Sequence, residues 1–401
     1  MKLKHISLTN FRNFTRLDTD VPVKRIILVG DNAQGKTSLL EAVFYLATFT
    51  SIHAESDRQL INFIASKETL AVARMVAEFE RGSTKHHIEV RIIKEGKNAN
   101  ATSRIRKEVL FDGNKRKVSD TVGKFMAVLF LPQMLQIITG SPAERRRYLN
   151  LAISQVQPQY AASLSDYVKI VSRRNALLKQ LGEQGGDLDQ LDFWDERLSV
   201  LGANLIYNRI QAVQEIERIV SRINQDLTQG EEVLRLNYLP AFDPASKPSE
   251  QLSMPIETSI DRSGISLQAI QQGFHERLVQ IRSDEIMRGM TTIGPHRDDL
   301  RFLGNGIDLG TYGSRGQVRT TMLTLKLAEA EWMYEKTNCW PVLLLDEVLA
   351  ELDVNRRLDL LEHLGDGHQA LLTTTDLSLF GKGFVDNATV WKIHSGRLQE
   401  N

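Results

Sequence analysis

The stretch Gly30-Asp31-Asn32-Ala33-Gln34-Gly35-Lys36-Thr37 constrains this chain more than any other. It follows the apolar run Ile26-Ile27-Leu28-Val29 and opens a helical pattern, Ser38-Leu39-Leu40-Glu41-Ala42-Val43-Phe44. Strand, glycine-bounded loop and helix in that order, with G-x-x-x-x-G-K-[ST] spacing, predict a loop that wraps phosphate. Gly30 and Gly35 let backbone N–H groups turn inward where a side chain would collide. The helix beginning near Lys36 adds its positive end. Lys36 is placed to reach the β- and γ-phosphates, and the Thr37 hydroxyl to ligate Mg²⁺. A glycine-rich turn capping a core helix is the plainer alternative. The strand before, the helix after and the full match favour a nucleoside triphosphate site.

With 401 residues, 42% of them hydrophobic, the chain is long enough for two lobes around a sizeable core. Lys+Arg and Asp+Glu both number 50, which excludes a uniformly basic nucleic-acid binder but leaves room for a basic patch. Cys339 is the only cysteine, so no intrachain disulfide forms and a reducing, cytoplasmic setting is expected. The start, Met1-Lys2-Leu3-Lys4-His5-Ile6-Ser7-Leu8, lacks a signal peptide's continuous apolar core. No stretch approaches the roughly 20 apolar residues of a membrane helix, so no membrane association is expected.

Along the chain, residues 2–29 read as two strands around Asn10-Phe11-Arg12-Asn13-Phe14, followed by a helix near 37–49. Val72–Glu80 and His87–Lys94 alternate at period two around the turn Arg81-Gly82-Ser83-Thr84, and Arg104–Phe111 runs into the turn Asp112-Gly113-Asn114. Between Arg81 and Lys124 stand 12 Lys/Arg against 5 Asp/Glu, either a solvated sheet face or a stripe for a phosphate backbone. Ser141, Pro142 and Glu144 form a capping-box arrangement that opens helical sequence to about Leu181, and a second helical stretch covers about Leu191 to Asp226. The short acidic linker between them predicts an antiparallel pair. Pro240–Ser263 reads as loop and Leu267–Met290 as helix. From Gly294 onward short apolar strands alternate with helices, as in a parallel sheet covered on both faces. The domains expected are 1–140, a helical lobe at 141–292, and a return at 293–401.

Val342-Leu343-Leu344-Leu345-Asp346-Glu347 is an apolar strand ending in two carboxylates. Paired with the loop, it predicts Asp346 as a second ligand for Mg²⁺ and Glu347 as the group that orients or deprotonates the attacking water. Most of the chain separates Lys36 from Asp346, so a whole lobe is inserted between the halves of the site. Ser314-Arg315-Gly316-Gln317 opens a further helix and resembles the S-x-G-Q signature of ABC ATPases; its plainer reading is an N-cap at Ser314. In ABC ATPases this signature completes a partner subunit's site, and Glu351-Leu352-Asp353 would be the D-loop.

Taken together, these residues resemble the RecF family of bacterial recombination-repair ATPases, related to SMC proteins. Asn10-Phe11-Arg12-Asn13-Phe14 is similar to the family's N-[FY]-R-N-[FY] segment, and Gly140-Ser141-Pro142-Ala143-Glu144-Arg145-Arg146-Arg147-Tyr148-Leu149 to its G-S-P-x-x-R-R-x-[FY]-[LI] segment. Gly294-Pro295-His296-Arg297-Asp298-Asp299 and Tyr312-Gly313-Ser314-Arg315-Gly316-Gln317 match two more signatures. The resemblance implies an α/β ABC/SMC-type P-loop ATPase head with a mainly helical second lobe inserted. It also implies an ATP-dependent homodimer with weak, slow, DNA-dependent ATPase activity. Such a dimer binds DNA at single-strand gaps, in gapped duplex or at stalled forks. It supports RecA loading with RecO and RecR, and normal SOS induction.

The resemblance extends to phosphate contact by Arg12, for which a surface arginine between two aromatics is the alternative. Gln133 would be the Q-loop, although Leu131-Pro132-Gln133-Met134 lacks the family's acidic pair. Asn150 replaces a usual Asp, and Thr373-Thr374-Thr375-Asp376 carries no switch His. DNA phosphate is assigned to Arg145 and Arg146, in a first helical turn where positive charge opposes the dipole; pairing with acids is the alternative. An SMC-like mechanical ATPase would need long heptad arms, and Pro240, Pro244, Pro248 and Pro255 interrupt the inserted lobe. A transporter-type ABC ATPase finds no specific signal for a membrane partner.

Overall fold

The computed structural model describes residues 1–96, 104–245, 260–364 and 367–400. They form two compact units, Met1–Met134 with Glu329–Asn401, and Leu135–Ala328.

Two six-stranded sheets build the first unit. One runs Arg397–Glu400, Thr389–His394, Ile26–Val29, Ala370–Thr374, Val342–Asp346, Ala127–Phe130, parallel except at the Arg397–Glu400 edge. Ala127–Phe130, Val342–Asp346 and Ala370–Thr374 are buried at every position, which is why they read as apolar runs without alternation. The strand before the P-loop and the strand ending in Asp346 are not neighbours, because Ala370–Thr374 lies between them. The other sheet is antiparallel, in the order Phe14–Asp20, Lys2–Phe11, Leu70–Arg81, Thr84–Glu95, Arg104–Phe111, Asn114–Arg116. Its Asp112-Gly113 turn has φ of 49° and 77°, the left-handed pair that a two-residue hairpin needs. The helix Lys36–Thr48 packs against strands of both sheets, and Leu39, Leu40, Val43 and Leu46 are accordingly buried on several of its faces. The last strand expected, around Val390-Trp391-Lys392, continues through a turn at Ser395-Gly396 into an additional strand, Arg397–Glu400.

The second unit contains the helices Pro142–Val156, Tyr160–Gln184, Gln190–Leu227, Leu267–Gln280 and Arg282–Arg288. Ser141 is the N-cap and Pro142 the first helical residue, although the Ser141 side chain makes no capping hydrogen bond. The helix expected to run on to about Leu181 is interrupted around Pro158, where proline removes a backbone donor; the one expected over Leu267–Met290 is divided at Ile281. Tyr160–Gln184 and Gln190–Leu227 pair antiparallel, with Tyr160 bonded to Arg209 and Arg174 to Asp195 nearer the turn.

The chain returns to the first unit at Glu329, inside the helix Arg315–Thr337, later than the expected 293. Asp299–Gly304 pairs with both Leu234–Leu239 and Ile307–Asp308, and this small sheet keeps residues 293–328 in the second unit. Residues 246–259 of the expected loop lie outside the described residues. Among the described residues no helix is long and apolar enough to cross a membrane.

Candidate nucleotide site

The loop between Val29 and Lys36 is shaped by its surroundings. A Cβ on Gly30 would collide with the Ile393 carbonyl, and one on Gly35 (φ 118°) would sit 2.6 Å from the Asn13 amide nitrogen. Gly30 is required by the close approach of backbone, and Gly35 by its positive φ. Gln34 ties the loop to the C-terminal hairpin: Oε1 accepts from the Ser395 N–H at 2.6 Å, and the Gln34 carbonyl accepts from the Gly396 N–H at 2.9 Å. Asn13 belongs to the family segment around Arg12, whereas the Ser395-Gly396 turn carries no signal in the sequence that would have marked it as part of this loop's support.

Lys36, the first helical residue, is only 4% exposed. Its Nζ donates to the carbonyls of Gly30 at 2.5 Å and Asp31 at 3.1 Å, and lies 3.3 Å from Glu347 Oε1. Thr37 Oγ1 donates to the two Asp346 carboxylate oxygens at 3.0 and 2.9 Å. The residues Asp31–Ser38, Asp346 and Glu347 line one cleft of about 1380 Å³, with Arg12 and Gln133 on its walls.

Burial pushes the Asp346 carboxyl pKa up, and hydrogen bonds from Thr373 and Thr37 pull it back. Thr37 and Asp346 supply a hydroxyl and a carboxylate, hard oxygen donors that fit Mg²⁺. Among the described residues no cluster of three His, Cys, Asp or Glu is placed to hold a metal unaided. A cation here would therefore be shared with phosphate oxygens.

Arg12, at a left-handed φ of 51°, makes a two-pronged ion pair with Glu41, both contacts 2.8 Å, and donates to the Gln59 carbonyl at 3.1 Å. It stands on the cleft wall with its charge matched from behind. Gln133 is exposed on the same cleft. Ser314, Gly316 and Gln317 belong to the second unit. There Ser314 Oγ accepts from the Gln317 N–H at 3.2 Å while Gln317 Oε1 accepts from the Ser314 N–H at 2.9 Å, a reciprocal cap on the helix Arg315–Thr337. Ser314 and Arg315 remain exposed.

Arg145, one of the two DNA-phosphate candidates, makes the acid pairing that is the alternative reading for it. It is ion-paired to Asp299, Nε to Oδ1 at 2.6 Å and Nη2 to Oδ2 at 3.0 Å, and donates to the Gly140 carbonyl at 2.7 Å. Arg146 donates to the Asp298 carbonyl at 2.8 Å. The unfavourable dipole position of these arginines is offset within the second unit by an acid and by carbonyl oxygens.

The chain matches the family model described as RecF/RecN/SMC N terminal domain over residues 2–395. It is 37% identical over 409 residues to the DNA replication and repair protein RecF of Chloroflexus aggregans, covering 99% of each chain. It is 36% identical over 400 residues to that of Lacticaseibacillus casei, again 99% of each. Among solved structures, the recombination mediator protein RecF-ATP in the RecFOR pathway matches with a TM-score of 0.82 at 30% identity, covering 100% of this chain and 97% of that one. An SMC head bound to the C-winged helix domain of ScpA shares the fold, with a TM-score of 0.51 at 14% identity and coverage of 100% and 98%. With a P-loop, an apolar strand ending in Asp346-Glu347 and an S-x-G-Q helix start arranged on this ATPase-head fold, the chain belongs to the RecF family of DNA replication and repair proteins.

Proposed function

We propose that the chain is an ATP-driven switch that dimerises on nucleotide and holds DNA at single-strand gaps or stalled forks. The observation that carries this reading is the meeting of Lys36, Thr37, Asp346 and Glu347 in one cleft. The P-loop N–H groups and Lys36 bind the phosphates, and Thr37 with Asp346 would hold Mg²⁺, which would supply charge neutralisation to the bound phosphates. Glu347 orients the attacking water, and Gln133 approaches as the Q-loop. Ser314, exposed at a helix start, meets the γ-phosphate held by a second copy. The engagement of Glu347 by Lys36 and the lack of a His at 373–376 both support slow turnover. The RecFOR context of the solved relative supports RecO and RecR as partners in RecA loading and SOS induction. It also supports a cytoplasmic setting.

For DNA, the internal pairing of Arg145 and Arg146 leaves Arg104, Arg116 and Lys117, exposed residues of the antiparallel sheet and the segment after it, as the stronger candidates beside them. Sedimentation velocity with and without ATP, Mg²⁺ and gapped DNA tests the whole reading. A dimer is expected only with ATP, together with DNA affinity that falls steeply with salt. A protein that binds ATP yet stays monomeric and ignores DNA would refute it.

A further inference from the structure

Thr373 stands on the strand between the P-loop strand and the strand ending in Asp346. It is 3% exposed. Its Oγ1 donates to Asp346 Oδ1 at 2.7 Å and accepts from the Glu347 N–H at 2.9 Å. The direction is fixed: an amide N–H can only donate, so the hydroxyl's single proton goes to Asp346. One buried hydroxyl therefore touches both acidic residues of the site.

Its second contact accounts for an oddity of the backbone. Consecutive strand residues point to opposite faces, yet Asp346 and Glu347 both line the cleft. Glu347 achieves this with a left-handed φ of 52°, just past the last ladder pair, Asp346 with Thr373. That conformation is unfavourable for a residue with a side chain and persists only where its surroundings hold it. The Thr373 hydroxyl receives the amide N–H of that turn.

We infer that Thr373 is a positioning residue for nucleotide hydrolysis: it orients the Asp346 carboxylate toward a divalent cation shared with phosphate and keeps Glu347 turned into the cleft. The inference rests on the nucleotide-switch reading above. Valine would match threonine in shape on this strand and lack only the hydroxyl.

The test compares Thr373→Val, Thr373→Ser and Thr373→Ala with the parent. Equilibrium binding of a fluorescent non-hydrolysable ATP analogue is titrated against Mg²⁺ and repeated in EDTA, and ATP turnover is measured alongside. Val and Ala are expected to lose about 10–100-fold both in the affinity gained from Mg²⁺ and in kcat, while affinity in EDTA stays parental. Ser is expected to behave as the parent. Ser and Ala both delete the methyl group, so their contrast isolates the hydroxyl even if Val does not fold. A parental Mg²⁺ response in Thr373→Ala, or a Ser variant as impaired as Ala, would overturn the inference. If the parent itself binds no nucleotide, the switch reading falls and this inference with it.

Discussion

Lys36 Nζ lies 3.3 Å from Glu347 Oε1, so the cation of the phosphate loop and the acid beside Asp346 engage each other across the cleft. An incoming γ-phosphate competes with Glu347 for the same ammonium group. In the proposed switch, releasing Glu347 would free its carboxylate beside the arriving phosphate and link nucleotide binding to water activation.

Lys36→Ala is expected to abolish ATP binding. The two carbonyls that now accept from Nζ, those of Gly30 and Asp31, have no charge to offer a phosphate. Binding of a fluorescent ATP analogue to the folded variant decides it, and near-parental affinity would remove the P-loop assignment.

Glu347→Gln should leave nucleotide binding at least as tight as in the parent, since it removes a competitor for Lys36. Turnover should fall by about 10²–10⁴-fold, the usual cost of a lost general base. Hydrolysis at the parental rate would reduce Glu347 to a residue that merely engages Lys36.

The halves of this site were legible in the sequence because each is a short run of required residue types: glycines where a Cβ collides, Lys36-Thr37 at a helix start, Asp346-Glu347 at a strand end. The contacts of Thr373, Asn13 and Ser395 were not legible: the sequence marks 373–376 only as a switch segment without His and Asn13 only as part of a family segment. These residues reach the site through strand order and a hairpin turn, and a threonine in an apolar strand carries no local mark of what its hydroxyl touches. The same limit hid the partner of Arg145, because Asp299 lies far along the chain, and set the return to the first unit at 293 rather than Glu329, because Asp299–Gly304 pairs back to Leu234–Leu239.

The second unit contains a fully buried ionic cluster that links the helical hairpin to the helix Arg282–Arg288. Arg174, Asp195 and Glu285 each have 0% side-chain exposure, with Arg174 bridging the acids at 2.6 and 2.5 Å. Arg282 also pairs with Asp195, so removing Arg174 leaves Glu285 as the carboxylate without a cation. Arg174→Met should cost about 3–5 kcal/mol in denaturant unfolding, the scale for breaking a buried pair. A loss below about 1 kcal/mol would give the cluster only the weight of a surface pair.

His296 gives the second unit a stability that depends on pH. Nε2 faces the Thr291 carbonyl at 3.2 Å, so it carries the proton, and Nδ1 accepts from the Tyr167 hydroxyl at 2.8 Å. Burial lowers the imidazole pKa from 6.5 to about 4. A depressed histidine binds fewer protons folded than unfolded between those values. Its contribution is therefore complete above about pH 6.5 and is lost as pH falls toward 4, by about 3 kcal/mol in total. Denaturation midpoints measured across that window should drop for the parent and drop less for His296→Gln. Parallel curves would assign the acid sensitivity elsewhere.

Ser314→Arg separates cap from contact. Ser314 and Gln317 hold each other's backbone N–H groups, so the substitution removes one capping acceptor and should cost about 0.5–2 kcal/mol of stability. If capping were its whole role, ATP-induced dimerisation would survive in the folded variant. The proposed switch asks more of this residue, because Ser314 is also exposed at the helix start, where unpaired N–H groups favour an anion. A long cation there would obstruct docking of the γ-phosphate bound by a second copy, while each copy keeps every contact to its own ATP. The expected result is near-parental ATP affinity, no ATP-dependent dimer and almost no hydrolysis. Sedimentation velocity with ATP and Mg²⁺ decides between the two, and a dimer boundary like the parent's would leave Ser314 as a helix cap and nothing more.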